Sequence, residues 1–448
     1  MTLEPMRPFT AAQLVTIAQE AARAAWARGM TVMKSDRSIV EIPLVAEPEV
    51  LAREDLDALA SEARAVTSGA VKLARAIIFS GDSRDRDALL APFEGLEAEA
   101  MTTLFDAPCP AVLVRVDFLR DQDGIARALE LNATIPAMSG YADLAAHAWI
   151  TAAARARGMT ARQSEGLVAD AGSRIEQLRE ALVRFYASRG GATARPSIAV
   201  VARPGDAQIG ELRCIAEHFR QMGHDAANLE PTECDPDRWD ILYRHVWARR
   251  TPAESPFARA LLDPSRYVLA NPVNGVLETK ALFARLSECA EDAALARFAG
   301  LDATELAAAR SLPRTRRVDD ALRPRLLGER PLWVLKRSWD YGGKSVTLGA
   351  ETDEATWQRA VDDAVRDQRA GGFVAQERIV APQRTGTMIG PSGSTVAPLY
   401  RDISVFSGLG PFVPSGSVVR AATSPIVNIL GGGGLAPVVP ASVMDALA

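Results

Sequence analysis

The sequence predicts a mixed α/β chain built from successive units, on three observations. The first hundred residues carry apolar positions at helical spacing, residues 196–270 alternate short buried strands with an amphipathic helix, and residues beyond about 330 are rich in strand patterns. At 448 residues, 48 % of them apolar and 24 % charged, the chain has material for more than one hydrophobic core. Its composition carries no mark of disorder or of a collagen-like repeat.

Each element follows from local pattern. Thr10 is an N-cap for a helix over 11–28, with Leu14, Ile17, Ala18, Ala21 and Ala25 on one face and Gly29 as the stop. Further helical periodicity runs over 54–76 and 86–102, so residues 1–104 read as a helical N-terminal region. The period changes at Cys109-Pro110. Residues 111–118 alternate, Asp121-Gln122-Asp123-Gly124 supplies a turn, and 126–132 alternate again, which predicts an antiparallel hairpin within 105–145. Helical spacing returns over 142–156 and 165–186, giving a connector over 146–192 that ends at Arg189-Gly190-Gly191. A small three-layer α/β unit over 193–275 is expected from strands at 198–201, 239–243 and 267–270 and a helix over 210–222 stopped by Gly223. The last unit, 276–448, opens with a helix over 277–286 and continues with strands at 333–336, 373–376, 397–406 and 412–420.

Charge and composition exclude several functions. Lys+Arg 51 against Asp+Glu 56 leaves a net charge of −5 without a basic block, so the electrostatic footprint of a phosphate-tracking nucleic-acid binder is missing. No uncharged apolar run reaches the ~18 residues of a membrane span, and the first residues lack a positive segment followed by an apolar core. A cytoplasmic protein is expected. Cys109, Cys214, Cys234 and Cys289 form no CxxC pair, and His147, His218, His224 and His245 form no HExxH pattern. Neither a disulfide framework nor a histidine-built metal site is expected. Lysine is rare, occurring only at 34, 72, 280, 336 and 344 among 51 basic residues. Each surviving lysine is thereby a candidate for work that a planar guanidinium does poorly.

Four segments carry candidate chemistry. In Pro331 to Val346 a buried strand ends at Lys336 and runs into Gly342-Gly343-Lys344, a pattern that lets backbone N–H groups approach phosphate oxygens while an ammonium neutralises them. A Walker A loop is excluded, because Ser338 stands where glycine is required; a plain hairpin with a Gly-Gly turn is the structural alternative. In the 111–132 hairpin, alternation places Arg115 and Asp117 on one face, and Glu130 and Asn132 on one face of the returning strand. Two carboxylates and an amide oxygen form a hard-oxygen set suited to Mg²⁺ bridging phosphates; the alternative is an ordinary solvated strand face. Asn271 to Phe283 puts Lys280 one turn into a helix after a Gly-containing loop, where a surface lysine is the plain alternative. Gly372 to Ile379 ends a strand in Gln376-Glu377-Arg378-Ile379, a strand exit at which peptide groups and Glu377 are able to read a nucleobase edge.

Together these segments resemble the ATP-grasp ligases, and their order resembles the circularly permuted group similar to glutathionylspermidine synthase. Arg115-Val116-Asp117 and Glu130-Leu131-Asn132 match the metal strands, and they precede the lysine loop by about two hundred residues instead of following it. The resemblance covers about residues 105–145 and 195–435, including Leu129 to Pro136, Tyr400 to Phe406 and Ser424 to Gly434. Where many relatives carry arginine after the acidic-Asn segment, this chain has Ala133-Thr134.

The resemblance implies a permuted ATP-grasp module with the 193–275 unit as its pre-ATP-grasp domain. It implies ATP and Mg²⁺, with metal on Asp117, Glu130 and Asn132. Nucleotide contacts would come from Lys280, Lys336, Gly342, Gly343, Lys344, Gln376, Glu377 and Ile379, and catalytic contacts from Arg115 and Lys336. The implied reaction is ATP-dependent joining of a small-molecule or peptide carboxylate to an amine through an acylphosphate, with no nucleic acid or membrane partner; a homo-oligomer is compatible with it. A phosphotransferase on the same fold, or a non-catalytic nucleotide-binding interaction protein, are the alternatives.

Overall fold

The computed structural model describes residues 8–340, 342–343, 345–410 and 416–448. Lys344, and the opening of the strand predicted from residue 412, lie outside the described residues. The main scaffold is a seven-stranded sheet. Its order is Arg384–Gly390, Leu44–Val45, Gly434–Ala436, Ser417–Ala422, Gly393–Ser407, Val114–Arg120 and Ala126–Asn132. Arg384–Gly390 also pairs with the first half of the long strand Gly393–Ser407, so the run of strands returns on itself at one end.

The predicted hairpin is present, antiparallel, with Asp117 opposite Glu130 and Arg115 opposite Asn132. Its register shifts after Asp117, so that Phe118 pairs with Ala128. Such a bulge bends the strand and re-aims side chains near it.

Period-2 alternation sorts this sheet's residues onto two cores. Val114, Val116, Phe118, Ile403, Val405 and Val419 pack under the long helix Arg53–Ser80. Leu44, Phe406, Val418 and Leu435 pack instead with the helices Ala11–Ala27 and Ser139–Ala156. Arg115 and Asp117 therefore project on the face opposite Val114 and Val116. Phe118 is fully buried, and Phe118→Ala is expected to cost about 3–5 kcal/mol of stability. Denaturant unfolding measures it; a loss below about 1 kcal/mol would mean that the core under the site strand re-packs freely.

The second sheet is parallel and four-stranded, in the order Leu269–Ala270, Ile241–His245, Ile198–Ala202, Ala226–Leu229. Its strand Ala226–Leu229 was not expected, because Ala-Ala-Asn-Leu has neither alternation nor a β-branched residue. The third sheet is antiparallel, in the order Thr315–Arg317, Phe373–Glu377, Trp333–Arg337, Val346–Leu348.

Several sequence expectations need correcting. The first 104 residues are not wholly helical: short strands at Thr31–Met33, Ile39–Glu41, Leu44–Val45 and Glu49–Leu51 interrupt them, and Leu44–Val45 enters the large sheet. A two-residue strand has no period to read. The helix expected over 86–102 is two helices, Ser83–Leu90 and Gly95–Met101, and that over 165–186 is also two, Ala161–Ala171 and Arg174–Ser188. No helix among the described residues is long and apolar enough to cross a membrane.

Candidate functional site

One cleft collects side chains from the large sheet, the small antiparallel sheet and the turn before Lys280. Arg115, Asp117, Glu130, Asn132, Lys280, Lys336, Gly342, Gly343, Gln376, Glu377 and Ile379 all line it. Residues separated by more than two hundred positions thus share one wall, because Val114–Arg120 is an immediate neighbour of Gly393–Ser407 in the sheet.

Lys336 is the penultimate residue of the strand Trp333–Arg337, and its Nζ donates to Gln376 Oε1 at 2.6 Å. Gln376 is 3 % exposed, and its amide nitrogen donates to Thr315 Oγ1 and to the Leu129 carbonyl. Its side chain therefore orients Lys336 within the cleft. The backbone N–H of Glu377 donates to Arg314 O and that of Arg378 to Leu332 O. Among the described hydrogen bonds the N–H of Ile379 has no acceptor, and Ile379 lines the cleft.

Burial, reinforced by Lys280, pulls the Lys336 ammonium down to about 8 against the opposing pull of Glu130 and Asp117. An anion placed against it would restore its ordinary range.

Lys280 opens the helix Lys280–Glu288 behind Thr279. Its Nζ donates to the Asp340 carbonyl at 2.9 Å and lies 3.5 Å from Glu130 Oε2. The surface-lysine alternative is thus set aside by geometry: the ammonium ties the glycine loop to the acidic strand. Gly342 and Gly343 both have positive φ, 70° and 72°, a region glycine enters without Cβ strain. A Cβ on Gly343 would meet Ile426 Cγ2 at 2.6 Å, and Asn428 Nδ2 donates to Gly342 O at 2.7 Å. The segment is a hairpin connection, Lys336 pairing with Val346, and its turn lines the cleft; the two readings of this segment describe one object.

The acidic wall is more tightly bonded than its sequence suggests. Asp117, 1 % exposed, accepts Arg115 Nε at 2.7 Å and Arg115 Nη2 and Arg420 Nη2 at 2.9 Å each. Burial alone would raise its carboxyl, but Arg115 and Arg420 outweigh that and hold it well below the usual carboxylate range. Arg420 also donates through Nε to Asp402 at 3.1 Å, and Asp402 and Arg420 are directly opposed across their strands. The remaining Arg115 nitrogen, Nη1, donates to Ala137 O at 3.0 Å. Two guanidiniums and two carboxylates thus alternate in one buried row. Arg420 and Asp402 were not singled out from sequence; the only signal was their position on the strands expected at 397–406 and 412–420.

No cluster of three or more His, Cys, Asp or Glu side chains with metal-holding geometry occurs among the described residues. With Asp117 held by arginines, the cleft offers Glu130 and Asn132 as hard-oxygen donors. That set suits Mg²⁺, which commonly takes one or two protein carboxylates and completes its shell with phosphate and water.

No protein-family profile and no curated protein matches the chain. Among solved structures, a glutathione synthetase-like effector from Globodera pallida in its apo form aligns over 98 % of this chain and 100 % of its own. The TM-score is 0.62 and the sequence identity 12 %. The chain therefore has the mixed α/β fold of glutathione synthetase-like structures. A candidate γ-glutamylcysteine synthetase from Methylobacillus flagellatus also aligns, over 75 % of this chain and 81 % of its own, with a TM-score of 0.37 at 11 % identity.

Proposed function

We propose that the chain is an ATP-grasp enzyme in the circularly permuted arrangement that joins a carboxylate to an amine at the expense of ATP. The observation that carries this reading is the meeting, in one cleft, of Lys336, Lys280 and the Gly342-Gly343 turn with Glu130 and Asn132 from a hairpin two hundred residues earlier. The glutathione synthetase-like fold supports the same class of chemistry.

In this reading the substrate carboxylate attacks the γ-phosphorus of ATP, giving an acylphosphate and ADP, and an amine then displaces phosphate to form an amide. Both substrates are small molecules or peptides. No protein nucleophile is required, so catalysis rests on positioning and charge neutralisation. Lys336 and Lys280 neutralise phosphate oxygens, the turn at Gly342-Gly343 offers backbone donors, and Ile379 offers its N–H to the base. Arg115, fixed by Asp117 and Ala137, faces the reacting end. Glu130 and Asn132 would hold Mg²⁺, which supplies charge neutralisation on the transferring phosphoryl group.

One observation favours a second reading, nucleotide binding without turnover: Asp117, expected as a metal ligand, is bonded to two arginines. Calorimetric titration with a non-hydrolysable ATP analogue, with and without Mg²⁺, followed by a screen for ADP release with pooled acids and amines, separates them. Metal-dependent binding with ADP release supports the ligase, and metal-independent binding without release supports the second reading. A folded sample that binds no nucleotide refutes both.

The Lys336 ammonium gives this binding a pH signature. Its charge is complete well below pH 8 in the free protein and is lost as pH rises through that value. A phosphate-bound lysine stays charged, so affinity for the analogue should be about tenfold weaker at pH 9 than at pH 7, with proton uptake on binding. Lys336→Met should flatten the curve, and a wild-type affinity constant across that range would contradict the contact.

A further inference from the structure

We propose that Glu278 is the general base that takes the proton from the attacking amine. This rests on the ligase reading above.

Glu278 ends the turn Gly275–Glu278, two residues before Lys280, and forms part of the cleft wall. One carboxylate oxygen, Oε1, accepts the backbone N–H of Ala133 at 2.5 Å and that of Thr134. Among the described residues the other oxygen makes no hydrogen bond. The carboxylate is thus pinned at one end and available at the other, which is the geometry that a proton acceptor needs.

Its surroundings suit the task. Ile135, next to Thr134, and Trp339, packed against Gly275 of the same turn, line the cleft with it and give it an apolar flank. The charged groups facing it are Arg244 of the strand Ile241–His245 and Lys280 of its own segment. Arg244 gives its hydrogen bonds to the carbonyls of Asn271, Val246 and Pro272 and to Asn274 Oδ1, so it balances the charge of Glu278 without occupying it. Burial raises the carboxyl to about 7, against the backbone donors and the two cations. A base works best when its pKa lies near the working pH.

The other carboxylates of the cleft are committed. Asp117 and Asp402 are bonded to arginines, and Glu130 faces Lys280 at the phosphate end. Asp340 accepts the Ser345 hydroxyl within the glycine loop, and Glu377 stands at the exposed hinge.

An amine reaches the site as an ammonium and has no lone pair until it loses a proton. Glu278 takes that proton and becomes neutral. The amine lone pair then forms the C–N bond at the acyl carbon, the C–O bond to phosphate breaks, and the second nitrogen proton leaves with the phosphate as hydrogen phosphate. Glu278 returns its proton to solvent. No oxidant or further co-reactant is needed.

Hydroxylamine tests this, because it is largely unprotonated at neutral pH and needs no base. Wild type and Glu278→Gln are incubated with ATP, Mg²⁺ and a mixture of the proteinogenic amino acids, with and without hydroxylamine. ADP, amide products and hydroxamates are measured, together with the thermal midpoint and affinity for the Mg²⁺–ATP analogue. The proposal expects Glu278→Gln to bind the analogue and form hydroxamate as wild type does, while amide formation falls ~100-fold. Equal loss of both products would overturn it in favour of Glu278 merely holding the Ala133-Thr134 backbone, and retention of both would place the base elsewhere. If Glu278→Gln does not fold, Glu278→Asp carries the same comparison, since a shortened carboxylate should slow only amide formation. Wild type that binds the analogue but forms neither product overturns the ligase reading, and the inference with it.

Discussion

Lys336→Ala is expected to weaken binding of the Mg²⁺–ATP analogue by at least ~100-fold, or about 2.7 kcal/mol, with little change in fold. The lysine is a half-buried cation of the cleft wall, aimed by Gln376 at 2.6 Å and sharing the cleft with Lys280. Lys280 alone does not make up the loss, because its ammonium is shared with the Asp340 carbonyl and Glu130. Removing Lys336 leaves Gln376 Oε1 without its donor, so stability should be followed in parallel; Lys336→Met, which keeps the stem, separates lost packing from lost charge. Isothermal calorimetry on both variants decides the matter. Wild-type affinity in a folded Lys336→Met protein would remove the lysine from the nucleotide site.

Glu130→Gln is expected to lower Mg²⁺-dependent ADP release by ~10²–10³-fold while the protein remains folded. Glu130 is the cleft carboxylate opposite Asp117 across the hairpin, and its partner is a lysine at 3.5 Å instead of an arginine pair. Replacing it removes the negative charge that a divalent cation requires, yet keeps shape and one carbonyl oxygen. The substitution should act on Lys336 as well. Glu130 is one of the charges that hold the Lys336 ammonium up, so in the variant the pH at which nucleotide affinity declines should move below 8. A titration of affinity against pH reads that shift independently of turnover. Unchanged ADP release with an unchanged pH curve would take Glu130 out of the site.

Much of the site's inventory is legible in the chain because its signals are local. A strand ending in a rare lysine ahead of a glycine pair, and polar residues at alternate positions of each hairpin strand, are patterns confined to a dozen residues, and period-2 alternation is enough to put Arg115 with Asp117 on one face of their strand and Glu130 with Asn132 on one face of theirs. Secondary structure follows the same rule. The helix Ala11–Ala27 was legible from its Thr10 cap and apolar stripe, and the long helix Arg53–Ser80 from its periodicity. The strand Leu44–Val45 was not, since its existence depends on the neighbours it pairs with.

What sequence by itself determined was therefore which residues carry charge, which turns require glycine, and which side chains share a face of one strand. Tertiary structure alone decided how those charges are spent. Asp117 became the partner of Arg420, Gln376 the support of Lys336, and Glu278 an anchored carboxylate with one open oxygen. The physical reason is that a buried charge must find a counter-charge or hydrogen-bond donor in space. The partners it finds come from strands and turns up to three hundred residues away, a distance at which spacing along the chain carries no information.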